Sequence, residues 1–535
     1  MLLENEITTY NDQAMNVYKN HINMNEHNNN VSNTINTDDI IKRTPIQDFY
    51  AGQNIFMTGA TGFLGKSMIE KLLRTCPDLS TIYLLIRPKK NSNINDRVED
   101  IFNEPIFEQL KKDSPKLRHK IVAVSGDCTL PGLGLSLEDR NVLIKEVSIV
   151  FHNAATVKFD ETLKTATAIN AGGALAVMNL CKEMKKLKAM IHVSTAYANC
   201  HLDVIEEKFY PHPSSYEEVQ VLVNTLPEDA VNDILPRILQ GWPNTYTFTK
   251  ALAEKVIREN CQNMPVGIFR PAIIISCAEE PVPGWIDNYY GPTGVAAAAI
   301  TGFLRFMRFD KKAYANMVPV DYTVNAILAS AWDVAIQTDK RGENLPIYNY
   351  VSTVEAPITW GDYMDHGLSA GREFPLKQSV WYLSMTGYQN KILSFLAHIL
   401  LHLFPAVLVD IAAICSGHKP RMVKAVTKVQ KFLSVIQPFS LKNWTFDNKN
   451  IQALWKQLEQ EDKKNFKFSL SHFDWKHYLR NHILGVRLYL FKEDLSTLEV
   501  ARKRLNRLHL IHIGVQIFTY LLVLYLIWKM FTIFF

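Results

Sequence analysis

Cysteine is sparse and unpatterned in this 535-residue chain: seven residues (Cys76, Cys128, Cys181, Cys200, Cys261, Cys277, Cys415), an odd number with no C-x-x-C. That argues against a disulfide framework or a zinc site and points to a reducing compartment. No basic stretch or apolar core opens the chain. "MLLENEITTYNDQ" carries acids where a secretory signal carries Lys or Arg, so secretion is not expected. Net charge is only +5, which demands no nucleic acid as partner. H-E-x-x-H is absent, so His398 and His402, although spaced i, i+4, read as a packed or interfacial pair, and no metal site is expected. Apolar residues are also few before about Asp39, where "NMNEHNNNVSNTINTDD" is rich in Asn. Such a stretch cannot offset its ordering entropy, and residues 1–45 read as a disordered arm.

Beyond this arm the texture reverses. From about Gly52, short β-branched runs alternate with helical stretches: "NIFMT", "TIYLLI", "KIVAVSGD", "VSIVFHNAA", "AMIHVSTAY" and "VGIFRPAIII". Five or six buried strands with helical connections predict an α/β fold, a doubly wound parallel sheet of Rossmann type. Two stretches around 203–243 and 279–317, rich in Pro, aromatics and small residues, follow late strands and are expected to build a substrate subdomain with its pocket. After about 370 the strand pattern stops. Residues 46–370 are thus read as one domain and 371–495 as a second, mainly helical one.

The motif "TGATGFLG" (Thr58, Gly59, Thr61, Gly62, Phe63, Leu64, Gly65) lies between the first strand and its helix. Glycines there permit a tight turn and close backbone approach to a pyrophosphate, held at the helix N-terminus. The next strand ends in "LLIRPKK", placing Arg87 where an NAD-selective site presents an acid to the ribose diol. Arg87, with Lys89 nearby, would instead bind a 2′-phosphate, so NADPH is the expected cofactor.

"NTYTFTK" sets Tyr246 and Lys250 four residues apart, on one face of a helix. "HVSTAYAN" ends an earlier strand with two hydroxyls, Ser194 and Thr195. Carbonyl reduction needs a hydride donor, an acid for the forming alkoxide and a donor that orients the carbonyl. Tyr246 can be the acid if the Lys250 ammonium and the oxidised nicotinamide lower its pKa. A second such pair, Tyr525 and Lys529, lies in an apolar tail with none of these surroundings and reads as chance.

The blocks "TGATGFLGK", "LLIRPKK", "GDCTLPGLGLS", "HNAATVKFDE", "HVSTAY", "YTFTKALAE", "FRPAIIIS", "PGWIDN" and "VPVDYTVNAI", then "HKPRMVKAVTKVQK", "NWTFDNKN" and "DWKHYLRNHILGVRLYLFKED", resemble the alcohol-forming fatty acyl-CoA reductases of the extended short-chain dehydrogenase/reductase superfamily. The resemblance implies that Tyr246 and Lys250 are the catalytic pair, with Ser194 or Thr195, Thr195 preferred, as hydroxyl donor. It also implies that Asp127 and Cys128 lie near the adenine, that Asn153, Ala154 and Ala155 line the cofactor groove, and that Pro271 and Ile273 back the nicotinamide. The implied reaction is reduction of long-chain acyl-CoA to fatty alcohol by two NADPH, with release of CoA through an aldehyde. The rivals are an anchored NADP-dependent dehydrogenase of a steroid or other lipid alcohol, and a catalytically silent scaffold.

The tail "LHLIHIGVQIFTYLLVLYLIWKMFTIFF" (508–535) is long and apolar enough for a transmembrane anchor. The basic linker before it (496–507), with Arg502, Lys503, Arg504 and Arg507, would hold everything upstream in the cytosol. "TIFF" is no peroxisomal S-K-L signal, so the endoplasmic reticulum is the expected membrane. A second run, 392–415, contains Pro405 and Asp410, and a mid-bilayer Asp costs about 3 kcal/mol. It is expected to pack in a soluble domain or lie on the membrane surface.

Overall fold

Buried β-branched and aromatic runs pair edge to edge because burial on both faces leaves their backbone groups only each other as partners. In a computed structural model, which describes residues 43–89, 93–337, 339 and 344–534, seven such strands form one parallel sheet. They are β1 (Asn54–Thr58), β2 (Thr81–Ile86), β3 (Ile121–Ser125), β4 (Ile149–His152), β5 (Ala189–Val193), β6 (Val266–Pro271) and β7 (Ile347–Tyr350). The order across the sheet is 3-2-1-4-5-6-7. Strand order reverses between β1 and β4, which opens a crevice at the carboxyl ends of the strands. Thr58 pairs with His152, and His152 with His192, so β1, β4 and β5 deliver their last residues to one edge.

Six strands match the sequence pattern, which does not predict β7. That strand is only four residues long and carries a buried Asn349, whose amide donates to the carbonyls of Asp447 (2.7 Å) and Ile205 (3.3 Å). The polar residue hides it in a hydrophobic reading.

The helical region beyond 370 shares the sheet's core: Phe439, Trp444, Phe446, Leu479 and Val486 belong to the same buried cluster as Ile55 and Phe151. Two-residue parallel pairings stitch it down, Thr445–Phe446 on Val204–Ile205 and Thr386–Gly387 on Phe306–Met307. The basic stretch expected as a linker is part of one long helix, Leu498–Phe534, that includes the apolar tail. Almost all of the Asn-rich arm lies outside the described residues.

Candidate active site

β1 ends at Thr58, and the chain turns through Gly59 (φ +72°) into the helix Phe63–Thr75. A Cβ on Gly59 would come within 2.8 Å of Ala154 N, and one on Gly65 within 2.3 Å of Gly59 O, so only glycine lets turn, helix and the 153–155 segment close together. Gly62 caps the helix without a side chain, which leaves the first-turn amides of Phe63, Leu64 and Gly65 for an anion. Phe63 stacks on buried Trp285 at 5.1 Å, and Thr61 is half-buried on the turn. Ala154 N–H donates to Thr58 Oγ1 (3.1 Å), which lies 2.8 Å from His152 Nδ1. Asn153 donates to Met68 Sδ (3.2 Å), and its buried Oδ1 has no partner among the described residues; Ala155 comes next, half-buried. A glycine cradle beside an orphaned acceptor fits a nicotinamide dinucleotide.

At the other end of this cleft Arg87 lies just past β2 and Asp127 just past β3, with Arg87 Nε 4.0 Å from Asp127 Oδ2. The Arg87 side chain is 61% exposed. Arg97 donates to the Arg87 carbonyl, so a second guanidinium stands beside the first. The sequence reading missed Arg97, whose only signal is a basic residue in the next helix. Burial and the Asp127 charge push the Cys128 thiol up to about 12, so it packs, against Gly173, rather than reacts.

The two hydroxyls at the end of β5 part company. Ser194 Oγ donates to Glu254 Oε1 (2.5 Å), inside a buried network in which Arg270 donates to both Glu254 oxygens (2.9 and 2.7 Å). Thr195 Oγ1 accepts from Tyr197 N–H (3.2 Å), and its side chain is near enough to the Tyr246 phenol to act on its pKa. Tyr246 and Lys250 lie on the helix Thr245–Asn260, capped by Asn244 Oδ1, which accepts from Thr247 N–H (2.9 Å). Lys250 Nζ donates to Val193 O (2.6 Å) and is fully buried.

The electrostatics differ from expectation at one point. Burial pushes the Tyr246 phenol up to about 12, opposed by the Thr195 side chain and with no lowering by Lys250. The ammonium is held by the Val193 carbonyl instead, and burial brings Lys250 down to about 8 against the Glu254 carboxylate. His152 and His192, with rings 5.2 Å apart, are kept neutral by burial and by Lys250. They add no positive charge beside the ammonium.

Two positioning groups escaped the sequence reading. Asn170, in a π-turn (Thr167–Gly172), accepts from Thr156 N–H (3.0 Å) and donates to Thr249 Oγ1 (2.9 Å), tying the Tyr246 helix to the 153–156 segment. Glu254 and Arg270 tie the same helix to β6. Neither partner is visible in a linear pattern, since the pairs are 79 and 16 residues apart. Pro271 ends β6, buried, with its carbonyl accepting from Ala196 N–H (2.9 Å).

Tyr246 and Ile273 open on an apolar cavity. Phe159, stacked on Tyr246 at 5.4 Å, Tyr197 and Phe439 wall this end. Val295, Ala299, Met307, Phe309, Leu368 and Met385 wall the rest. The stretch 279–317 lines this cavity; 203–243 lines a separate pocket, and Trp242 packs inward, donating to Ala198 O (2.6 Å). In the cavity beside Tyr246 its place is taken by 360–368, 385, 436–440 and Ile483.

Crevice, glycine cradle and Tyr-Lys helix together define a nicotinamide-dependent reductase of the extended short-chain dehydrogenase type. The family described as "Male sterility protein" matches over residues 57–327 and again over 401–493. The chain is 45% identical over 478 residues to the fatty acyl-CoA reductase wat of Drosophila melanogaster, covering 89% of this chain and 91% of that one. It is 38% identical over 486 residues to fatty acyl-CoA reductase 1 of Homo sapiens, covering 91% and 93%. It belongs to the fatty acyl-CoA reductase family. Among solved structures, the terminal R domain of the myxalamid PKS-NRPS pathway matches with a TM-score of 0.53 at 18% identity (83% and 92% covered). The reductase domain of a nonribosomal peptide synthetase from Mycobacterium tuberculosis matches at 0.51 and 16% (85% and 96%), a likeness of fold.

Proposed function

We propose that this chain reduces long-chain acyl-CoA to the fatty alcohol with NADPH, at a cytosolic face of a membrane that its C-terminal helix spans. The observation that carries this reading is the Tyr246 phenol in the wall of an apolar cavity, with the Thr195 side chain near enough to act on its pKa. A phenol in the wall of an apolar cavity suits a carbonyl at the end of an alkyl chain.

NADPH, when bound in the Gly59–Gly65 cradle with Arg87 and Arg97 near its 2′-phosphate, supplies hydride once for the thioester and once for the aldehyde. The chain's own residues do the rest. Tyr246 O–H and Thr195 O–H donate to the carbonyl oxygen and stabilise the charge it acquires. With the phenol pushed up to about 12, Tyr246 is protonated throughout the physiological range. An alkoxide is far more basic than a phenolate, so proton transfer from Tyr246 in the alcohol-forming step runs downhill. Lys250, one turn along the same helix and at about 8, carries its proton below that pH. Collapse of the thiohemiacetal expels CoA as thiol, and the water-poor cavity holds the aldehyde for the second reduction.

The test is stoichiometry with acyl-CoAs of graded length. Two NADPH oxidised and one CoA released per alcohol support the reading; oxidation of a lipid alcohol with NADP, without CoA release, would replace it with a dehydrogenase.

A further inference from the structure

The helix Lys391–Cys415 presents an apolar face to solvent: Ile392 is 71% exposed, Phe395 and Leu400 64%, and Ile414 59%. Its central polar residues, His402 and Asp410, are buried. His402, Ala406 and Asp410, spaced i, i+4, i+8, form its buried stripe. His402 Nε2 accepts from Arg305 N–H (3.0 Å), and the Asp410 carboxylate accepts from Arg421, Met422 and Val423 N–H (2.8, 2.8 and 2.9 Å). Asp410 thereby caps the next helix, Met422–Leu441, which returns along the first and ends with Phe439 and Ser440 in the cavity wall.

This hairpin geometry restricts how lipid can cover the face. Both ends of the apolar helix belong to the same body, so it does not cross a bilayer one way. The returning helix exposes Lys424, Lys428 and Lys431, the last paired with Asp160 (2.9 Å), so the hairpin does not plunge into hydrocarbon either. An apolar helix beside a basic one matches a lipid–water interface, acyl chains below and anionic headgroups alongside. The tail helix leaves the body at the same place. Arg305 lies over the Trp381 ring (5.7 Å), Trp381 Nε1 donates to His512 Nδ1 (3.1 Å), and Tyr382 stacks on His509 (4.2 Å).

We infer that the exposed face of 391–415 is a second membrane contact, lying in the interface of an anionic leaflet beside the tail helix. The cavity shares walls with this hairpin through Met307, Met385 and Ile436, so the contact seats the substrate tunnel at the leaflet from which acyl chains are drawn.

The full chain, reconstituted in phosphatidylcholine vesicles with or without phosphatidylserine, tests this without turnover. A fluorophore is placed on exposed Cys415, or on Leu400→Cys in a Cys415→Ser background, with Val122→Cys on the sheet edge as control. Lipid-borne nitroxide is expected to quench the first two several-fold more than the control, and aqueous iodide the reverse. Lys424→Glu with Lys428→Glu is expected to weaken quenching at 400 in phosphatidylserine vesicles only. Equal iodide quenching at 400 and 122 overturns the inference. So does protection that persists without lipid and rises with protein concentration, which marks a second copy as the cover. A label on His418→Cys reachable only from the vesicle lumen overturns it in favour of a span. No response to the lysine changes overturns the anionic preference.

Discussion

Gly367 lines the apolar cavity from the middle of the helix Trp360–Glu373, buried between Met364 and Leu368. A Cβ built there meets nothing within 4 Å. A mid-helix glycine costs about 0.5–1 kcal/mol relative to alanine, so its presence beside open space marks room kept for something other than protein. Its neighbours Met364 and Leu368 belong to the hydrophobic cluster of the cavity's remote part, away from Phe159 and Tyr246. Gly367→Ala should therefore raise thermal stability, by up to ~1 kcal/mol, and change chain-length preference little. Gly367→Leu should displace about three methylenes of a bound chain. At ~0.8 kcal/mol per methylene this is about 2.4 kcal/mol, or roughly fiftyfold in kcat/KM for chains long enough to reach the site, and nothing for shorter ones. The assay is kcat/KM across a ladder of saturated acyl-CoAs, with a melting curve of each variant. The reasoning is refuted if a folded Gly367→Leu loses activity uniformly at every length, or keeps the parent profile.

Thr195→Ala should lower kcat by about 10²–10³ with little change in melting temperature, while Thr195→Ser retains most activity. Ser194→Ala should do the opposite, removing a hydrogen bond to the buried Glu254 carboxylate that is worth about 1.5–3 kcal/mol of stability while leaving kcat within a few-fold, read by thermal melt and steady-state kinetics. Arg87→Ala should weaken NADPH about tenfold and NADH little, by titration of intrinsic fluorescence; equal losses would remove the 2′-phosphate role. With Lys250 brought down to about 8, its ammonium persists below that pH and is lost above it, so kcat/KM should fall on the alkaline side of about 8. Lys250→Arg, lower in activity but charged throughout, should show no such fall; an unchanged alkaline limb would assign it to another group.

Much of the candidate site was legible because it is local. The glycine turn, the hydroxyls at the end of β5 and the Tyr-Lys spacing each need only neighbours in sequence, and the structure gathers all three at one edge. What was not legible is set by pairs distant in the chain: Asn170 with Thr249, and Glu254 with Arg270 and Ser194. The same holds for choosing between Ser194 and Thr195, which depends on which way each side chain leaves the strand. Of the two stretches picked out by texture, 279–317 lines the cavity beside Tyr246 and 203–243 lines a separate pocket, because aromatics and prolines mark an insertion without saying which side it faces. In the chain without cofactor, burial raises the Tyr246 phenol, since desolvation is a property of the folded site and not of a four-residue spacing.

The most direct measurement is alcohol formation by Tyr246→Phe with a long-chain acyl-CoA and NADPH, run beside the parent chain and a cofactor-binding titration. Loss of about 10²–10⁴ in turnover, with NADPH binding and melting temperature retained, is the predicted result. Alcohol output equal to the parent's would contradict the assignment of the proton donor, and with it the account of the site.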